Sequence, residues 1–228
     1  MQICQKSEKS KSWFIYLKNI LQKYSLPDAT ELLDNPPEKA SWKMKVKNVI
    51  FKYWDSTLKD KALLKSSLRH ISWEDHSKPK AHHIWQSTSK NLHLSHKSLI
   101  KVKLMAHVYS LKKRITYKNE SRCPLCNMDE EEDEAHFIAS CTDDDAVKLR
   151  KHYICLIQNM NFLDNETKKA LECKEFLTQF TLDFKKCSYT SGIKFEVDQC
   201  EKIEITSINF IHKLHLNRAE KLTKQSQC

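Results

Sequence analysis

A single glycine, Gly192, stands in a chain of 228 residues, beside only five prolines. Tight hairpins, β-sandwiches and phosphate-cradling loops need positions that accept positive φ, and glycine supplies them at the least cost. Its near absence excludes P-loop and dinucleotide-binding fingerprints and argues for helices. Long apolar runs are missing too. Nothing approaches the roughly 18–20 residues of a membrane span, and the opening "MQICQKSEKSKSW" has no apolar stretch of a secretory signal. The expectation is therefore an intracellular chain, nuclear or cytoplasmic and not secreted, with no membrane contact. In a reducing compartment, clustered cysteines indicate metal before disulfide.

A third absence is local. The formal net charge is +10, yet no Asp or Glu occurs from residue 76 to residue 119, a stretch with ten Lys or Arg and six His. Residues 123–145 invert this, with nine acids and no Lys or Arg. Such segregation suggests a polyanionic partner for the first stretch.

Hydrophobic residues make up 40% of the chain and charged ones 30%, which fits thin layers and long solvated helices. Trp13, Leu17, Ile20, Leu21 and Tyr24 form one helical stripe. Trp42, Val46, Val49, Ile50, Tyr53, Trp54 and Leu58 form another, read as core. Residues 72–91 show no periodicity and read as a long basic loop, with His82 and His83 as surface histidines. Beyond it, Ser95 can cap a helix that turns Leu99, Val102, Met105 or Ala106, and Tyr109 inward. Thr142 can cap another, placing Asp143–Asp145 in its first turn, where the helix dipole favours acids. Asn165 can cap a further helix through Phe176 and Phe180, 188–199 breaks the pattern, and a last helix runs through Ile208, Ile211, Leu214 and Leu222. The expected fold is mainly α, with small helical domains, a zinc-knuckle insertion and little or no sheet. The expected divisions are a helical region over 1–71, a His-rich linker over 72–94, a basic helix, knuckle and following helix over 95–163, and C-terminal helices over 164–228.

The chemistry concentrates in "SRCPLCNMDEEEDEAHFIASC", residues 121–141. Cys123 and Cys126 are spaced C-x2-C, so both thiolates can converge from one tight turn. His136 follows after nine residues and Cys141 after four more. Four soft ligands with no fifth suggest one closed, tetrahedral, structural Zn²⁺ site with no open position for a catalytic water. A competing set joins His93 and His96 to the two knuckle cysteines and resembles the His-His-Cys-Cys site of retroviral integrases, but it leaves His136 and Cys141 unused. The six acids Asp129–Glu134 read as a solvated loop that would repel phosphate. The other cysteines, Cys4, Cys155, Cys173, Cys187, Cys200 and Cys228, are scattered and read as ordinary thiols.

"RCPLC" followed by "EAHFIASC" resembles the C-x2-C…H-F-x-x-x-C element near the C-terminal end of non-LTR (LINE-type) retrotransposon reverse transcriptases. "YWDSTLKDKALLKSSLRHI", "HHIWQSTS" and "KVKLMAHVYSLKKR" follow the order of segments before that knuckle, and the similarity runs from about residue 12 to residue 160. It implies a helical, zinc-stapled tail, with Cys123, Cys126, His136 and Cys141 as ligands, that helps an enzyme engage RNA or DNA. Two departures matter. His107 stands at the glycine of the family's Leu-Leu-Thr-Gly-x-Tyr run, against the close helix packing expected there. The aromatic-x-Asp-Asp turn and third carboxylate that hold two polymerase metals are also missing.

The functional expectation is thus a non-catalytic, zinc-stabilised module, similar to a detached reverse-transcriptase tail. It would bind RNA or DNA with little sequence preference through Lys97, Lys101, Lys103, Lys112, Lys113 and Arg114, with Trp85, Tyr109 and Tyr117 available to stack on bases. The alternatives are a protein-interaction module or a transposon remnant without function.

Overall fold

The computed structural model describes residues 12–73, 81–115, 121–126, 128–191 and 194–227. The chain divides into two compact units, Met1–Leu64 and Lys65–Cys228. Among the described residues the structure is helical, with a single isolated β-bridge between Arg122 and Glu131 and no strand. The mainly-α expectation holds. No helix among these residues is long and apolar enough to cross a membrane.

The first unit contains α1 (Trp13–Lys23), α2 (Ala29–Asp34) and α3 (Lys39–Leu63). Its core is Phe14, Ile15, Leu21 and Ala29, with Leu26, Leu32 and Trp42 packed against them. The buried face of α1 is thus rotated from the expected stripe, and Trp13 is 72% exposed. The second stripe is corrected as well. Trp42, Val46, Val49, Ile50 and Tyr53 are only half-buried, and Ala62 is the one fully buried residue of α3. Length explains this: α3 extends about 37 Å while α1 extends about 16 Å.

In the second unit, the 29-residue α10 (Val197–Gln225) is the axis. A capping box of Glu196 and Gln199 starts it. Packed along it are α4 (His83–Lys90), α5 (Ser95–Met105) and α7 (Asp144–Gln158), with α9 (Lys174–Ser191) alongside. The short α6 (Lys112–Ile115) and α8 (Asn165–Ala170) complete the set. Leu104, Leu111, Ile138, Ile157, Leu182, Ile203 and Ile211 lie in the core, and Tyr153 stacks flat on Phe210 with centroids 4.3 Å apart.

Several boundaries differ from expectation because side chains, not periodicity, decide them. Helix α4 forms inside the supposed loop, capped by the His82 ring, which accepts from the Ile84 amide at 3.3 Å. Ile84, Ser87 and Thr88 bury its inner face. Asp143 rather than Thr142 caps α7, accepting from Ala146 N at 3.0 Å, and Asp164 rather than Asn165 caps α8. On α5 the inward residues are Ser98, Lys101, Leu104 and Met105, leaving Leu99 48% exposed. Helix α9 breaks at Asp183 (φ −147°, ψ 93°). The buried Asp183 carboxylate accepts from Lys185 N at 3.1 Å, capping the second half, and from Ser72 N at 2.7 Å.

Two helices end without the glycine that commonly closes such ends. Ser25 (φ 51°) and His107 (φ 55°) are the left-handed residues after α1 and α5. After α5, Val108 N donates to Lys103 O at 2.8 Å and His107 N to Leu104 O at 3.0 Å. After α1, Leu26 N donates to Leu21 O at 2.9 Å and Ser25 N to Gln22 O at 3.0 Å. Both are Schellman motifs. The glycine position in the resembling family is therefore a helix-end position in this chain, and its demand is backbone handedness, not close packing. A side chain there costs roughly 1–2 kcal/mol. The His107 ring offsets part of that by stacking on His70 at 5.0 Å and pairing with Glu134 at 3.1 Å.

His82 and His83 are half-buried rather than on the surface. His83 packs 5.5 Å from the Phe184 ring. Burial, with Lys185 and His82 nearby, pushes its imidazole down to about 4. It stays neutral in the folded chain while the unfolded chain would protonate it below about pH 6.5. The unfolded state therefore binds the extra proton, and stability falls as pH drops from 6.5 toward 4. The expected loss is on the order of 3 kcal/mol over that window. Lowered values at His70, His212 and His215 act in the same direction. Urea unfolding at pH 7 and pH 4.5 measures it, and His83→Phe should flatten the dependence. Equal pH slopes in the two proteins would contradict this account.

Candidate metal centre

Cys123, Cys126, His136 and Cys141 converge, with one ligand atom from each lying within 4.8 Å of every other. Cys123 Sγ and Cys141 Sγ are 3.9 Å apart, and Cys126 Sγ is 3.3 Å from His136 Nε2. The group could hold a metal ion. His93 and His96 take no part in it; His96 instead lies 5.3 Å from the His212 ring.

Each ligand is placed by local chemistry. Cys123 enters from the β-bridge, where Cys123 N donates to Glu130 O at 3.1 Å and Glu132 N to Ser121 O at 2.8 Å. The knuckle then turns so that Leu125 N donates to Cys123 Sγ at 3.5 Å. Gln225, at the end of α10, holds the Pro124 carbonyl at 3.0 Å. The other two ligands bracket a π-helical turn, His136–Ser140, closed by Cys141 N donating to His136 O at 2.8 Å. This widened turn, a form that concentrates at functional sites, brings both side chains to the same point. Arg150 of α7 fixes it from below, donating to Ile138 O at 3.0 Å and Cys141 O at 2.8 Å.

The His136 ring is oriented from outside the cluster. Its Nδ1 lies 2.9 Å from Glu130 Oε2, so Nδ1 donates to the carboxylate and Nε2 faces the sulfurs. A carboxylate behind a ligating histidine raises the basicity of the inward nitrogen. Burial alone would lower this imidazole, but Cys123 and Glu130 outweigh it and hold it up at about 9. The Cys141 sulfur, then burial, pushes Cys123 up to about 12, while the hydrogen bond from Cys123 holds Cys141 down. Metal binding to such a set takes the cysteines as thiolates and releases their protons.

The acid run proves to be part of the scaffold. Glu132 is 1% exposed and Glu134 2%, so the reading of a solvated loop is corrected. Glu132 takes a two-pronged pair from Arg218 of α10, at 2.7 and 2.9 Å, and also accepts from Lys112 N at 2.8 Å. Glu134 pairs with His107, and Arg69 lies 3.9 Å away. The outward acids pair at the surface, Glu131 with Lys113 at 2.8 Å and Asp129 with Arg122 at 2.5 Å. The sequence offered no sign of these partners, because buried and exposed acids alternate in a run that looks uniform.

The expected basic surface divides in the same way. Lys101 is fully buried, its Nζ 2.7 Å from Glu204 Oε1, and cannot reach a phosphate. Lys113 is held by Glu131 and Asp133. Lys97, half-buried, donates to Asn209 Oδ1 at 3.2 Å, Lys112 is half-buried, and Lys103 is exposed at the end of α5. The Arg114 side chain lies outside the described part of the structure, as do Lys78, Lys80, Tyr117 and Lys118. Of the expected stacking residues, Trp85 is 49% exposed. Tyr109 is buried, with its hydroxyl 2.8 Å from His215 Nδ1. Sequence reasoning missed His212 and His215, which join His96 on the surface between α5 and α10. Their signal was present, since His212 and His215 lie on the same helical face as core residues that were recognised. No protein-family model, no curated protein and no solved structure matches this chain.

Proposed function

We propose that this chain is a non-catalytic helical module, stapled by one structural Zn²⁺, that binds single-stranded RNA or DNA through the surface between α5 and α10. The observation that carries the metal half is the geometry of the ligand set. Tetrahedral zinc with Zn–S near 2.3 Å and Zn–N near 2.0 Å separates its sulfurs by about 3.8 Å and sulfur from nitrogen by about 3.5 Å. The observed 3.9 and 3.3 Å fit those spans. The donor set is closed, which suits a structural role, and it agrees with the resemblance to the zinc-binding tail of LINE-type reverse transcriptases.

Charge supports the nucleic-acid half. The groups that bear on His212, after burial, are Lys97, His96 and His215, and those on His215 are Arg218 and Lys103. All are basic. Arg218 is already held by Glu132, so among the described residues the charge open to phosphate here is that of Lys97 and Lys103, whereas phosphates at Lys113 would meet Glu131 and Asp133. Fluorescence anisotropy of labelled poly-U and poly-dT, titrated with salt, tests the reading. Replacing Lys97 and Lys103 by Gln should flatten the slope of log K against log salt by roughly 1.4, about 0.7 per phosphate contact on a single strand. Lys113→Gln should leave it unchanged. Undetectable binding of the zinc-loaded protein at low salt defeats the proposal. An apolar cleft of about 230 Å³ between α7 and α10, lined by Leu149, Leu156, Ile205 and Phe210, favours a protein-interaction module instead. Partner capture that survives nuclease, with no nucleic acid retained, would select that reading.

A further inference from the structure

The first unit contains a second constellation, unrelated to the metal cluster. The Lys23 ammonium lies 5.3 Å from the Tyr24 ring centroid, 5.2 Å from that of Tyr53 and 5.0 Å from that of Trp54. The three rings stand as walls. Tyr53 meets Tyr24 at 79° and Trp54 at 89°. Trp54 Nε1 donates to Tyr24 Oη at 3.0 Å and ties α3 to the end of α1. None of the three rings belongs to the core of the unit, which is built from Phe14, Ile15, Leu21 and Ala29. Trp54 remains 39% exposed and Lys23 is on the surface.

Edge-to-face contact is ordinary between packed aromatic rings, so the angles alone do not single out this site; the shared cation does. Here perpendicular faces, negative at their centres, surround one cation. We infer that Tyr24, Tyr53 and Trp54 form an aromatic cage for a methylated ammonium group, with Lys23 as the built-in occupant. An unmethylated ammonium is strongly hydrated and gains little by leaving water. Methyl groups weaken that hydration and widen the contact with the ring faces, so a trimethylated ligand competes well for the same space. Lys23 sits on a flexible stem at the helix end and can swing into solvent when displaced. The same chemistry is found on a trimethylated lysine side chain and on a choline headgroup.

The full chain, ¹⁵N-labelled, is titrated with a trimethyl-lysine peptide, with choline, and with a neutral tert-butyl isostere of the trimethylammonium group. The Trp54 indole N–H resonance is followed. Both cations should give saturable shifts, and the tighter one identifies the source of the ligand. Lys23→Ala, which empties the cage while leaving its walls, should tighten cation binding about tenfold, and the neutral isostere should bind about tenfold more weakly than the cation. Absence of a saturable shift in Lys23→Ala overturns the cage. Equal affinity for the neutral isostere does the same, since it leaves only an apolar notch. Neither readout requires removing an aromatic wall, so a failure of folding cannot imitate a negative result.

Discussion

Lys101→Met is expected to destabilise the protein by roughly 3–5 kcal/mol. Lys101 is 0% exposed and Glu204 0%, and the pair closes at 2.7 Å between α5 and α10. Glu204 Oε2 has no hydrogen-bond partner among the described residues, so the ammonium carries most of the compensation for this carboxylate. Removing it leaves a charge in a pocket walled by packed helices, which is far costlier than the pair is worth. The sign of the second step is what makes the prediction specific. Lys101→Met combined with Glu204→Leu should recover most of the loss, because a well-packed apolar pair of similar volume replaces a buried ion pair with little or no penalty. Urea unfolding of the two single variants and the double variant supplies the cycle. A loss below about 1 kcal/mol for Lys101→Met would mean that water reaches the pair, contrary to its burial.

Removal of the metal should have the other large effect. Structural zinc in small Cys/His sites contributes about 10–16 kcal/mol of apparent binding free energy, most of it spent on ordering the segment that carries the ligands. The purified chain should contain one equivalent of zinc, lost with a strong chelator or in Cys126→Ser. The damage should stop at a definite boundary. Leu125 N and Cys141 N, which depend on the ligand turns, should lose hydrogen-exchange protection. Lys112 N, bonded to Glu132, should retain it, because Arg218 holds that carboxylate independently of the metal. Unchanged exchange at Leu125 and Cys141 after chelation would refute the staple.

The convergence of Cys123, Cys126, His136 and Cys141 was legible in the sequence because a cluster able to hold a metal needs both a residue type and a spacing, and neither depends on distant partners. Helix content was legible for a related reason: one glycine leaves few other folds. The fate of the charges was not. Lys101 and Lys103 are two residues apart in one basic stretch, yet one is buried on Glu204 and the other is exposed. Glu132 and Glu131 are neighbours, and only the first is buried. Facing decides each case, and facing is set by partners such as Glu204 and Arg218 that lie about a hundred residues away along the chain. The helix faces of α1 and α5 were misjudged for the same reason, since several apolar stripes were available and tertiary packing chose among them.

The span of the Glu132–Arg218 pair has a consequence for biosynthesis. The four ligands lie within residues 123–141, so that loop can close soon after it leaves the ribosome. Arg218 lies 86 residues beyond Glu132. At roughly 5–20 residues per second, the acid run spends several seconds without its guanidinium. During that interval Glu132 lacks its guanidinium, while Lys113, Arg122 and His107, all earlier in the chain, are already present to face Glu131, Asp129 and Glu134. The order of synthesis thus separates two events, an early local closure and a late docking of the last helix, and the second cannot precede the emergence of α10.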